Sequence, residues 1–212
     1  MNITFNTVYW ICTSTCLIAP ILYLVFRKKI LMSTFRKIFV IYLFLHVLHF
    51  LFNIYFDLVI HNCFPLSHVN VPIETMFCIL LLQESIHRYR KVSYILIFGV
   101  FLIALFEALF INDIWTNNWL TTLLSETLLI LSFIFVLIKF NPRLKREHLI
   151  ILVPLFLIKL CFLYFAIFEN YIRSNKDFFL KNFILILILS TIFHISLGFA
   201  VSKLKDAEKS SK

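Results

Sequence analysis

Residues 68–82 read HVNVPIETMFCILLL. The second half of this stretch is continuous apolar sequence, yet Pro72 and Glu74 sit two residues apart within the same block. A proline and a carboxylate thus stand where hydrocarbon-facing residues are expected. Holding one ionisable side chain at the centre of a membrane helix costs about 2.5–3.5 kcal/mol on the insertion scale. Glu74 therefore has to be paired, hydrated or chemically employed, and the fold has to bring it something to face.

The composition places that block in a membrane. The chain has 212 residues, 61% hydrophobic and 15% charged, with a mean hydropathy of +0.94. A soluble domain carries about 25% charged residues and 45–50% apolar ones. The excess apolar residues come in blocks of about 20, the length that spans a hydrocarbon core of roughly 30 Å. The net charge of +9 sits mostly in the gaps between blocks. Membrane topology explains it there, and no direct nucleic-acid partner is expected.

Seven apolar blocks predict an all-α polytopic fold, with helices over Thr7–Phe26, Ile38–Ile60, Leu66–Ser85, Ser93–Ile111, Asn118–Phe140, Leu149–Phe168 and Phe178–Val201. One transmembrane domain covers residues 1–203, and residues 204–212 form a basic tail. The N-terminal stretch has no basic residues ahead of its apolar block, so a retained first helix is expected rather than a signal peptide. Orientation follows from Lys and Arg in the short loops. Arg27, Lys28, Lys29, Arg36 and Lys37 occupy the first gap; Arg88, Arg90 and Lys91 the third; Lys139, Arg143, Lys145 and Arg146 the fifth. The second and fourth gaps contain neither residue type. The N-terminus is thus expected outside and the C-terminus in the cytoplasm.

Only Gly99 and Gly198 occur, so unwound, carbonyl-lined filters are not expected, and most helices should be continuous. Pro20, Pro72 and Pro154 are the sites where a kink can form. Five cysteines without a CxxC pattern imply neither a disulfide framework nor a zinc ribbon.

Polar residues recur at one depth. Glu74 and Glu126 each lie eight residues past the outer start of their helix, about 12 Å in, and Lys159 falls near mid-membrane. His46, His49, Asn53 and Asp57 are spaced 3, 4 and 4, a single helix face. Asn70 and Glu74 share a face, as do Asn118, Thr122 and Glu126. These faces should converge in the outer half of the bundle, because lipid does not accept them. Two readings stand side by side: an interhelical network that only stabilises, and a ligand or proton site formed by Glu74, Glu126, Lys159, His49, Asn53 and Asn70. A third is intramembrane metal chemistry at His46, His49 and His194. Seven-helix ceramidase-like hydrolases place two histidines four apart on the last helix, and here only His194 stands there. Retinal binding would need a lysine at the middle of helix seven, where none occurs.

HVNVPIETMFCILLL followed by HRYRK (87–91), and NNWLTTLLSETLLILSFIF (117–135), resemble segments of small seven-helix membrane proteins widespread in Bacteroidota. Those carry P-I-E at the head of the third helix and an Asn followed by a Glu in the fifth. The resemblance implies that Glu74 and Glu126 are the family's carboxylates. It also implies a place beside sensor histidine kinases. The His46/His49 stripe is not part of the likeness, and other proteins of this size serve bacterial defence operons.

These readings converge on a multi-pass inner-membrane protein of bacterial origin, a non-enzymatic sensor or signal-transducing partner without cofactor. Its expected associations are the bilayer, a cytoplasmic protein at the basic loops, and copies of itself. The alternative is a partner-gated effector or pore that depolarises the membrane; a metal-dependent hydrolase stands third.

Overall fold

The computed structural model describes residues 14–26, 33–60, 64–111, 119–140, 144–174 and 176–206. All secondary structure among them is helical, arranged as seven helices. These are α1 (Thr15–Phe26), α2 (Thr34–Tyr55), α3 (Phe64–Ile86), α4 (Arg90–Phe106), α5 (Trp119–Phe140), α6 (Arg146–Ser174) and α7 (Lys176–Asp206). Six of them, α2 to α7, contain stretches long and apolar enough to cross a membrane, and α1 is described over a shorter apolar length. The large exposed side chains point the same way. Ile95, Phe98 and Phe110 on the α4 segment and Ile138 on α5 lie open at the surface, where a water-soluble chain would carry charge. The molecule is a multi-pass helical membrane protein.

Six helices close a ring in the order α1, α2, α3, α5, α6, α7, with α7 packed back on α1. Helix α4 lies outside the ring against α3, touching α5 more lightly. Burial follows this arrangement: half of the α3 span is buried, against 17% of the α4 span. Phe39, Tyr42, Leu81, Phe133, Leu155 and Leu197 fill the interior. Lipid tails are as apolar as these side chains, so close packing and polar contacts hold the helices together rather than escape from water. Gly198 serves that packing. A methyl group there would lie 2.9 Å from Ile18 Cγ2 and 3.3 Å from Leu22 Cδ1, so α7 and α1 approach through a missing side chain.

The two ends of the bundle are tied differently. At the basic end, Ser33 caps α2 by accepting from the Arg36 amide at 3.3 Å. Arg36 then donates from Nε (3.1 Å) and Nη2 (2.6 Å) to Glu147 Oε2, locking the start of α2 to the start of α6. His148 stacks on Phe35 with ring centroids 4.1 Å apart. The α3–α4 turn carries His87 and Tyr89 at φ 50° and 61°, left-handed positions for residues other than glycine.

At the opposite end, α2 and α4 finish in wider π-type turns, Phe56–Ile60 and Glu107–Ile111, which departs from the regular helices expected there. The turn at α4 opens with Glu107. Fully buried, it accepts from the Leu120 amide at 3.0 Å and the Thr121 amide at 2.7 Å. It thereby caps the first turn of α5 from a neighbouring helix, satisfying two donors that a helix start leaves open.

Pro72 and Pro154 lie inside unbroken helices. Helices α6 and α7 run longer than hydropathy predicts, because polar residues continue them past the apolar core. Helix α7 extends through Asp206 with Leu204 buried, so helix includes the first residues of the expected tail. The predicted start of the first helix at Thr7 lies outside the described residues.

Candidate functional site

Three spans each bring one ionisable group to the same place. Helix α3 supplies Glu74, α5 supplies Glu126 and α6 supplies Lys159. Lys159 is 1% exposed, with Nζ 3.1 Å from Glu74 Oε1 and 3.0 Å from Glu126 Oε1. Its remaining side is covered by the Phe162 ring, 5.2 Å from Nζ to the centroid. An ammonium so deep in the bundle is retained only because two carboxylates replace its water.

Glu74 has further partners. The Tyr42 hydroxyl, from α2, donates to Oε1 at 3.2 Å, and His46 Nε2 lies 3.7 Å from the same oxygen. The His46 ring meets Tyr42 edge-on at 4.5 Å and His194 at 5.9 Å, which links the cluster to α7. Glu126 is held differently. Its Oε1 takes the lysine, while Oε2 is buried and makes no hydrogen bond among the described residues. With all three groups ionised the cluster carries one negative charge in excess, which the interior favours neutralising.

Beside the cluster lies a cavity of about 220 Å³. Its polar lining is Cys16, His46, His49, Asn53, Asn70, Glu74, Ser190 and His194; its apolar lining is Phe50, Ile158, Phe162 and Phe193. Helices α1, α2, α3, α6 and α7 all contribute. His49 Nε2 and Asn53 Nδ2 are 2.7 Å apart, four residues along α2. His194 Nδ1 lies 3.4 Å from Thr15 Oγ1 and 3.5 Å from Ser190 Oγ. Tyr42, Leu45, Ile73 and Phe77 line a smaller recess on the other side of Glu74.

The structure thus gathers Glu74, Glu126 and Lys159 into contact and sets His49, Asn53 and Asn70 around the adjoining cavity. Glu126 stands apart from the cavity, across Lys159. His46, His49 and His194 also reach that space, but they do not assemble a ligand set. Among the described residues no group of three His, Cys, Asp or Glu is disposed to hold a metal ion. His49 is turned to Asn53 and His194 to hydroxyls. The side chain of Asp57 and the whole of Asn118 fall outside the described residues.

Sequence reasoning missed Tyr42, Ser190, Cys16 and Glu107. Ser190 and Cys16 carry no distinguishing signal, since a single hydroxyl or thiol in a membrane helix is common packing material, whereas Tyr42 stands four residues before His46 on the same helix face. Glu107 did carry one, a carboxylate inside an apolar block.

Fold and site together define a multi-pass helical membrane protein built around an intramembrane carboxylate–lysine–carboxylate cluster with a polar cavity at its side. No family model, curated protein or solved structure matches the chain.

Proposed function

We propose that the protein is a sensor or signal-transducing partner of a bacterial inner membrane, crossing it seven times with the N-terminus outside and the C-terminus in the cytoplasm. The observation that carries the reading is Lys159 held between Glu74 and Glu126 next to a polar cavity. Three helices meet at one ammonium, so any proton or ligand that changes the charge on a carboxylate changes what holds α3, α5 and α6 together. Helix α6 transmits that change to the basic end through Glu147 and Arg36. The alternation of Lys and Arg between loops supports the orientation. The likeness to seven-helix proteins beside sensor kinases supports a cytoplasmic protein partner at the basic loops.

The test uses spin labels at positions 88 and 203, on full-length protein reconstituted in lipid. An acid step on the outer side changes the label separation in the wild type. Glu74→Gln and Glu126→Gln each insert normally and abolish the change. An unaltered response in both variants removes the cluster from signalling. Loss of membrane potential on expression, without any such response, favours the pore reading instead.

A further inference from the structure

We propose that the cavity binds a small organic cation, an ammonium group on a short apolar body, with Glu74 as its counter-ion. The proposal rests on the sensor reading of the same site and specifies the class of ligand.

The first argument is charge. Two carboxylates face one ammonium, and every contact made to Glu74 falls on Oε1. Glu74 nevertheless lines the cavity, with 13% of its side chain exposed. With all three groups ionised, Glu74 is the carboxylate that presents the excess negative charge to the cavity, while Glu126 stands across Lys159 from it. An anionic ligand meets repulsion there, and a neutral one leaves the charge uncompensated.

The second argument is the lining. An ammonium has three donors and no acceptor, and the cavity is rich in acceptors. The carbonyls of the Asn53 and Asn70 side chains and the Ser190 hydroxyl can receive it. His49 Nε2 accepts from the Asn53 amide at 2.7 Å, which leaves the Asn53 side-chain oxygen on the other side of that amide. Phe50, Phe162 and Phe193 add aromatic surface to the lining, against which an apolar body can pack.

The third argument is size and hardness. A volume of about 220 Å³ equals roughly seven waters at liquid density, room for a compact organic molecule. A bare metal cation needs several converging oxygen or nitrogen ligands, and among the described residues no three His, Cys, Asp or Glu converge on one point.

A matched pair of probes tests this: 2-phenylethylamine, protonated at neutral pH, and 2-phenylethanol, its neutral counterpart of the same shape. Binding is measured by calorimetry on full-length protein in lipid nanodiscs. The amine is expected to bind at least about tenfold more tightly than the alcohol. Glu74→Gln should erase that preference, and Ser190→Leu, which fills the cavity without touching the cluster, should weaken the amine by about tenfold or more. Equal affinity of the two probes overturns the proposal. So does amine binding unchanged by Ser190→Leu, or heat released by Na⁺ alone. Absence of amine binding, with Glu74→Gln still silencing the acid response, overturns the ligand class and leaves the sensor reading standing.

Discussion

Lys159 makes sense only in the company it keeps. Breaking a buried ion pair by removing one partner leaves a charge without compensation and costs about 3–5 kcal/mol. Here the asymmetry is sharper, because Lys159→Met leaves two carboxylates within one apolar interior. We expect Lys159→Met to lower thermal stability in detergent by at least that amount. The triple replacement Glu74→Gln, Glu126→Gln, Lys159→Met should recover most of the loss, since an uncharged set needs no neutralisation. A triple variant as unstable as the single one would show that packing around Lys159, and not charge, is what the cluster supplies. Much of this was legible beforehand. A charge in hydrocarbon is so costly that Glu74, Glu126 and Lys159 identify themselves, and helix rise alone places them at one level. Tyr42 stands four residues before His46, at the head of the same polar face, but only the fold shows its hydroxyl touching Glu74.

Among the elements, the contrast between the two glycines isolates helix packing from helix propensity. Gly198 lies where α7 meets α1, whereas an added methyl at Gly99 on α4 meets nothing within 4 Å. Gly198→Val should therefore push α1 and α7 apart and destabilise the bundle by about 1–3 kcal/mol, the usual cost of overpacking. Gly99→Ala should be neutral or stabilise by up to about 1 kcal/mol through helix propensity alone. Melting curves of the two variants in the same detergent check both signs. Equal destabilisation would contradict the separation of α4 from the ring. Hydropathy did not announce that separation. The spans of α4 and α6 have the same mean hydropathy of 2.6, although α6 is about twice as buried. The available hint was polarity pattern rather than average. The block Ser93–Ile111 has no stripe of polar residues to turn inward, and α4 accordingly has the least buried span. Its one carboxylate, Glu107, sits at the end and caps α5, a contact between two helices that no periodicity within either one encodes.

At the level of the whole molecule, chain order sets when the cluster can form. Glu74 and Glu126 belong to the third and fifth helices and Lys159 to the sixth, so during synthesis both acids reach the bilayer before their base exists. They must wait protonated, or in the shelter of the insertion machinery, until α6 arrives. Helix α1 waits longer still, since the neighbour that closes the ring on it is the seventh helix. A chain truncated at Phe140 should consequently be degraded much faster than the full protein in pulse-chase labelling. Adding Glu74→Gln and Glu126→Gln to the truncated chain should lengthen its half-life; no change would mean that the unpartnered acids are not what quality control detects. A longer half-life of that variant would make the ion cluster an assembly checkpoint, a chemical record, written in the bilayer itself, that translation has passed the sixth span.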